Sequence, residues 1–270
     1  MTTIGPQESR LRDAGGHRIA YVIPTPMQLT SLGVQEIDRR AEKLRQWCAV
    51  GSEVSVHTLN TGPASIESMY EEYLAIPHIA DVVSQLALDG YDAAVIGCFG
   101  DPGLDGLREI TDMFVAGPAS SSIALATTLG HRFSIVTVTS SIVPALRRLT
   151  WELGSLDALA SIRHIETSVL EVNRDHDAAL KGLLVEARRA IDDDGADSLV
   201  LGCMSMGFLD VAEYMTQELG VPVINPVKAG LKFAETTLSL GLSHSRHAYE
   251  RPPKMVSGLS RSQLLLGEKG

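Results

Sequence analysis

Short apolar runs alternate with longer amphipathic segments along most of the chain. The apolar runs are rich in β-branched residues and end at Gly, Pro, Asn or Cys, as buried strands do. They cover residues 18–24, 53–60, 92–98, 113–117, 132–138, 161–167, 197–203 and 222–225. Helical spacing of apolar positions predicts helices over residues 34–50, up to about residue 88, after the turn 99–106, and over 121–130, 142–153, 175–195, 208–219 and 227–241. This alternation predicts an α/β fold with mainly parallel sheets covered on both faces.

The pattern also repeats within the chain. DGYDAAVIGC (89–98) and DGADSLVLGC (194–203) lie 105 positions apart and are identical at six of ten positions. GHRIAYVIPTP (16–26) similarly matches GHRFSIVTVTS (130–140), and AGPASSSIALATTLG (116–130) matches INPVKAGLKFAETTLSLG (224–241). We interpret these matches as two similar lobes, related by a pseudo-twofold axis and derived from an internal duplication. The alternative is that all strands of α/β proteins look alike.

The repeat suggests a division of the chain. We assign residues 1–17 to a loose N-terminal leader and residues 250–270 to a loose C-terminal tail. The first α/β lobe comprises residues 18–130 together with 227–249, whose helix packs back onto it. The second α/β lobe comprises residues 131–226.

Composition narrows the class of protein. The chain has 270 residues, of which 44% are hydrophobic and 21% charged, and a net charge of −10. These values are typical of a globular protein, and the acidity argues against a nucleic-acid or anionic-membrane partner. The sequence contains neither a basic, apolar leader nor an apolar run long enough to span a membrane. Three cysteines without a CxxC pair indicate reduced thiols, so we expect a cytoplasmic location.

Cys98 and Cys203 end the two copies of the repeated strand. Ligands of open α/β sheets bind beyond the carboxyl ends of the strands, so facing lobes would bring both thiols into one cleft. There, one thiolate can remove a proton next to a carbonyl while the opposing thiol returns one on the other face. A helix start after each cysteine would stabilise its thiolate. The alternative is that both are small buried residues, which is how we interpret Cys48.

Four segments resemble a known family. CFGDPGLDGLRE (98–109), GPASIES (62–68), RFSIVT (132–137) and VLGCMSMGF (200–208) are similar to the hydantoin racemases of the aspartate/glutamate racemase superfamily. The resemblance covers roughly residues 18–249. It implies two α/β lobes, cofactor-free two-base racemisation in the cleft between them, and a homo-oligomer. The family's paired catalytic cysteines fall on Cys98 and Cys203.

The sequence departs from that family at three places. The first strand ends in IPTPM rather than an Asn-Pro-Asn-like motif, and Cys203 is followed by Met204 and Ser205 rather than by a small residue and Gly. The segment GPASSSIA (117–124) lacks the usual Gly and Glu. We expect all three places to line the cleft, which leaves the exact substrate open. Glutamate racemase fits less well, because its cysteines are followed by Asn-Thr and Thr-His.

We expect the substrate pocket to be lined by residues at strand ends. These are Pro24, Thr25, Leu59, Asn60, Phe99, Gly100, Thr137, Thr139, Ser140, Met204 and Ser205. Phe99 would pack against a substrate ring, and the hydroxyls of Thr137, Thr139 and Ser140 would donate to its carbonyls. The resemblance to these racemases implies that no cofactor is needed. We also expect no metal site, since the two histidines of HSRH (244–247) have no other metal-ligating residue near them in the sequence.

The leading hypothesis is a cofactor-independent racemase or epimerase of a small molecule, most simply a hydantoin-like cyclic ureide. Its C5–H is more acidic than the α-hydrogen of an amino acid, because the ring carbonyl conjugates with the carbanion and the ring is neutral. Two alternatives stay open. One is a decarboxylase or cis–trans isomerase of the same superfamily that uses a single cysteine, and the other is a non-catalytic ligand-binding protein on the same scaffold.

Overall fold

The computed structural model describes residues 16–256 and the single residue Leu264. Eight strands in this part of the chain form two four-stranded parallel sheets. The first has the order β2-β1-β3-β4 and consists of β1 (Arg18–Ile23), β2 (Glu53–Thr58), β3 (Ala93–Ile96) and β4 (Phe114–Ala116). The second has the order β6-β5-β7-β8 and consists of β5 (Phe133–Thr137), β6 (Leu159–His164), β7 (Ser198–Leu201) and β8 (Val223–Ile224). The predicted α/β class with parallel sheets is confirmed. The matching strand orders support the interpretation of a duplication.

Helices connect the strands. In chain order they are α1 (Gly33–Trp47), α2 (Met69–Leu88), α3 (Leu104–Ile110), α4 (Pro118–Leu129), α5 (Val143–Glu152), α6 (Val169–Val172), α7 (His176–Asp192), α8 (Met204–Leu209), α9 (Ala212–Leu219), α10 (Pro226–Ser239) and α11 (Pro253–Val256). The single helix predicted over residues 208–219 is wrong. Asp210 adopts a left-handed conformation that separates α8 from α9, and α8 begins directly after Cys203.

Several identities in the repeat have a role in the fold. Asp92 accepts a hydrogen bond from the backbone N–H of Arg18 at 2.8 Å, which fixes the start of β1 against β3. Asp197 accepts one in the same way from the N–H of Arg132 at 2.9 Å, at the start of β5. Gly90 and Gly195 take positive φ angles of 77° and 73° in the turns before β3 and β7. Duplicated folding constraints therefore explain much of the sequence match.

The two sheets share a hydrophobic core. One cluster of buried side chains includes Tyr21 and Val95 from the first sheet, Ile135 and Val200 from the second, and Phe208 from α8. Helix α10 packs against α4, β3 and β4, so it contacts the first sheet although it follows the second in sequence. The predicted lobe boundaries stay a prediction. Residues 1–15 of the predicted leader, and most of the predicted tail after residue 256, lie outside the described residues.

The segment after α10 is bonded to the first sheet and to α3. The Arg246 guanidinium donates to the backbone carbonyl of Arg108 at 3.1 Å and also to that of Thr111. Arg251, within the predicted tail, forms an ion pair with Asp112. This part of the tail is therefore attached to the body of the protein.

His244 in this segment makes folding stability dependent on pH. Its Nε2 accepts a hydrogen bond from the N–H of Val115 at 2.7 Å, so the ring must be neutral at that atom. Burial, followed by the nearby charges of Arg108 and Arg246, lowers the pKa of His244 to about 4. An unfolded histidine titrates near pH ~6.5, so the unfolded state takes up this proton first as the pH falls.

We therefore expect the free energy of unfolding to decrease as the pH is lowered from ~6.5 to ~4. The part of this decrease that is due to His244 should be absent in the His244→Gln variant. Gln retains an acceptor but does not titrate. Urea denaturation at a series of pH values measures the difference, with the exposed His247 replaced by Gln as the control. Equal pH dependence in wild type and His244→Gln would contradict the assignment.

Candidate active site

One cavity lies at the carboxyl ends of the central strands of both sheets. It is lined by residues that directly follow β1, β3, β5 and β7, namely Pro24, Gly97, Val138 and Gly202. Its volume is about 90 Å³. One water needs roughly 10–15 Å³, so the cavity has room for a small ring.

Cys98 and Cys203 both line this cavity. They belong to the same repeat as the aspartates and glycines above, and they differ from those residues in lining one cavity. All three cysteines of the chain are free thiols. Cys48, by contrast, contributes to a separate surface depression beside β2. The expectation that the two strand-end thiols share one cleft is met.

The backbone around the two thiols differs. Cys203 is the N-cap residue of α8, whose first residue is Met204. After Cys98 the chain makes a turn instead, and α3 begins only at Leu104. We expected a turn and a helix start after each cysteine; Cys98 has both, whereas α8 begins directly after Cys203 without a turn.

Positive and donor groups surround Cys203. Burial raises the pKa of its thiol above the ordinary value, although the backbone N–H groups of Met206 and Ser205, the Arg40 guanidinium and the Ser205 hydroxyl all act to lower it. Negative groups surround Cys98. Burial raises its pKa, the N–H of Gly100 lowers it, and Glu72, Cys203 and Asp101 raise it further. The two sides of the cavity therefore differ in electrostatic character.

Arg40 is the main functional candidate that the sequence did not reveal. It lies on α1, only 3% exposed, and it lines the cavity. Its Nε donates to Glu36 at 2.7 Å, and its Nη2 donates to Asn173 Oδ1 at 3.1 Å and to Ser205 Oγ at 3.0 Å. In sequence, Glu36 and Arg40 look like an ordinary i,i+4 pair on a helix surface, so no local signal distinguishes them.

Two carboxylates adjoin Cys98. Glu72 lines the cavity, and a Cβ added at Gly100 would lie 3.1 Å from Glu72 Oε2 and 3.8 Å from Cys98 Sγ. Asp101 has a different role, since its carboxylate oxygens accept from the N–H groups of Ala119 and Ser120, each at 2.9 Å. It thereby caps α4 and ties the turn after Cys98 to that helix. Burial raises the pKa of Asp101 to about 6.

Known proteins show the same combination of fold and sequence. The profile of the Asp/Glu/hydantoin racemase family matches residues 34–234. The chain belongs to this family. It is therefore an isomerase of the racemase class, and the resemblance inferred from its motifs is confirmed.

Individual relatives of this racemase agree. A hydantoin racemase from Pseudomonas sp. (strain NS671) is 44% identical over 194 residues, covering 72% of this chain and 77% of the relative. A hydantoin racemase from Paenarthrobacter aurescens is 37% identical over 214 residues, covering 78% and 90%. Among solved structures, allantoin racemase from Klebsiella pneumoniae superposes with a TM-score of 0.80 at 30% identity, covering 88% of this chain and 94% of that one.

The structure places the predicted pocket residues of this racemase in two groups. Those that line the cavity are Pro24, Thr25, Phe99, Gly100, Met204 and Ser205. Those that do not are Leu59, Asn60, Thr137, Thr139 and Ser140.

The second group has other surroundings. Leu59 is fully buried in the core beneath α2. Thr137 donates its hydroxyl to the carbonyl of Gly202 at 2.9 Å, and the Thr139 hydroxyl pairs with that of Ser141 at 2.8 Å. Asn60 and Ser140 lie beyond the ends of β2 and β5, away from the cavity. The predicted hydrogen bonds from Thr137, Thr139 and Ser140 to a substrate in this cavity are therefore corrected.

One expected lining segment is also displaced from the cavity. Residues 117–124 form the capped start of α4, and none of them lines the cavity.

Within residues 16–256 and Leu264, no three His, Cys, Asp or Glu side chains are placed to hold a metal ion. In the same part of the chain, no helix is long and apolar enough to cross a bilayer. Assembly into a homo-oligomer stays a prediction.

Proposed function

We propose that the protein inverts a carbon-acid centre next to a carbonyl with Cys98 and Cys203 as two bases, and that its substrates are hydantoin-like rings. The proposal is carried by one observation: Cys98 lies beyond the end of β3 in the first sheet, Cys203 lies beyond the end of the matching strand β7 in the second sheet, and both line a single cavity. The close relatives named hydantoin racemase support the substrate class.

The reaction needs only the two sulfur atoms and the ring. One cysteine, as thiolate, takes the proton from C5, and the electron pair of that bond moves onto the adjacent carbonyl oxygen as an enolate. The other cysteine, as thiol, gives its proton to C5 from the opposite face. The stereocentre is then inverted, and the charge has passed from one sulfur to the other. Each proton transfer is general acid–base catalysis.

The walls of the cavity favour an apolar substituent on the ring. About half of the lining residues carry aliphatic or thioether side chains, among them Ile23, Met27, Leu32, Ile66, Met69, Ile142 and Leu146, and polar side chains such as Thr30, Ser65 and Ser68 are among the rest. A ureido substituent, such as that of allantoin, would leave hydrogen-bonding groups unpaired wherever it lies against the aliphatic part of the wall, which is costly. We therefore favour 5-alkyl and 5-arylalkyl hydantoins over allantoin as substrates.

Single enantiomers of 5-isobutylhydantoin, 5-benzylhydantoin, allantoin and leucine in D₂O test this proposal. We expect loss of optical activity with deuterium uptake at C5, and kcat/KM at least about tenfold higher for the apolar hydantoins than for allantoin. Circular dichroism and proton NMR report the two events. Preference for allantoin would refute the substrate assignment, and inversion without deuterium uptake would refute the proton-transfer mechanism.

A further inference from the structure

The cavity carries one further assignment, which rests on the proposed two-cysteine function. The Ser205 hydroxyl oxygen accepts two hydrogen bonds, from Arg40 Nη2 at 3.0 Å and from Asn173 Nδ2 at 3.0 Å. A hydroxyl has two acceptor sites and one hydrogen. Because both acceptor sites are occupied, the hydrogen of Ser205 is directed elsewhere; Cys203, two residues earlier in the chain, lines the same cavity, and this hydroxyl lowers its pKa.

We propose that Arg40, Asn173 and Ser205 form a donor relay that places the resting thiolate on Cys203 and leaves Cys98 as the neutral thiol. Each member comes from a different part of the chain. Arg40 lies on α1, Asn173 directly follows α6, and Ser205 lies in the first turn of α8.

The charge of the relay is positive. Glu36 is paired with both Arg39 and Arg40, at 2.7 Å each, so one carboxylate faces two guanidinium groups. Asn173 and Ser205 are neutral. The guanidinium carbon of Arg40 lies 4.7 Å from the centre of the Phe208 ring, which shields that face from water. An arginine stays protonated at any pH where the enzyme works, so this charge is fixed.

The carboxylates that face the two thiols also favour a thiolate on Cys203 over one on Cys98. Glu72 from α2 and Asp101 from the turn before α3 adjoin Cys98, where negative charge opposes a thiolate. Tyr21 from β1 is close to both sulfurs. Its hydroxyl is buried without a hydrogen-bond partner among the described residues, and burial raises its pKa, so it stays neutral. The relay thus supplies a cation, the Arg40 guanidinium, that lowers the pKa of Cys203.

This assignment has a kinetic consequence. The free enzyme is prepared to remove the proton from one face of the ring, the face that Cys203 meets. For the other enantiomer, the proton of Cys98 must first move to Cys203. The two directions of the reaction therefore start from differently populated forms of the free enzyme.

The test measures the thiolates directly and needs no substrate, so it separates this inference from the proposed function. Alkylation of Cys98 and Cys203 by iodoacetamide is followed by peptide mass spectrometry across a series of pH values. The midpoint of each profile reports the pKa of that thiol, independent of how accessible it is. We expect a midpoint for Cys203 at least about one pH unit below that for Cys98.

Two variants and one control complete the design. Ser205→Ala and Arg40→Gln should each raise the Cys203 midpoint by about one pH unit or more, since a hydrogen bond to a charged group is lost. Arg39→Gln is the matched control, because Arg39 shares Glu36 but donates to the Phe208 carbonyl rather than to Ser205. It should leave both profiles unchanged. A lower midpoint for Cys98, or a Cys203 profile that Ser205→Ala does not move, would overturn the assignment even if Arg40→Gln fails to fold.

Discussion

Replacing either Cys98 or Cys203 by Ser is expected to lower kcat for racemisation by on the order of a thousandfold or more. Serine has nearly the size of cysteine, so the cavity should keep its shape. Its hydroxyl is far less acidic than a thiol, however, and supplies neither the base nor the acid at neutral pH. Both proton transfers are needed for inversion, so the loss is similar for both variants. Circular dichroism of one enantiomer of 5-isobutylhydantoin measures the rate.

Hydrogen exchange distinguishes the two bases from each other. A variant with one remaining cysteine can still remove a proton and return a deuteron on the same face. We therefore expect Cys98→Ser to exchange C5–H of one enantiomer in D₂O without inverting it, and Cys203→Ser to exchange the opposite enantiomer. Exchange should be faster in Cys98→Ser near neutral pH, if Cys203 is the resting thiolate.

Cys48→Ser is the control for both experiments, because that thiol lies outside the cavity. It should keep wild-type rates. Wild-type racemisation by Cys98→Ser or by Cys203→Ser would exclude two-base catalysis. Dependence on only one of the two thiols would instead favour the single-cysteine decarboxylase or isomerase alternative.

The sequence predicted that Cys98 and Cys203 line one cavity because the signal was local and occurred twice. Each strand of the repeat is a short apolar run that ends in Gly-Cys, and the rule that ligands bind at the carboxyl ends of parallel strands then applies to both. Strand positions were predicted within a few residues for the same reason, since a buried strand has to be apolar along its whole length.

Pocket residues at the outer strands were predicted less well, because their position depends on strand order. The order β2-β1-β3-β4 puts β2 at an edge of its sheet, so Leu59 and Asn60 beyond its end lie away from the cavity. Thr137 is the last residue of the central strand β5, yet its hydroxyl donates to the carbonyl of Gly202. Neither the sheet order nor that internal hydrogen bond can be derived from local pattern.

The relay could not be predicted from sequence at all. Arg40 and Ser205 are 165 positions apart, and Asn173 lies in a segment with no distinctive pattern. Each residue alone is typical of a surface helix, a loop or a helix start. Only the tertiary fold shows that three polar side chains meet next to one thiol, which is where enzymes concentrate buried charge.

Replacing Gly97 by Ala is expected to disturb both stability and catalysis. An added Cβ would lie 2.7 Å from the backbone oxygen of Val22 and 2.9 Å from a ring carbon of Tyr21. The Val22 oxygen also accepts the hydrogen bond of the Gly97 N–H at 2.7 Å, so neither strand can yield without breaking that contact. Inserting a methyl group into such a site costs about 1–3 kcal/mol of unfolding free energy. Urea denaturation measures this loss.

The same displacement should reach the chemistry, because Cys98 is the next residue in the chain. A shift of the Cys98 sulfur by ~1 Å relative to C5 of the substrate ring lowers kcat by about a hundredfold. Gly106→Ala is the matched control, since its added Cβ meets nothing within 4 Å and it lies inside α3. That variant should gain up to about 1 kcal/mol of stability and keep the wild-type kcat. Equal effects of the two substitutions would mean that the close approach of β1 and β3 does not position Cys98.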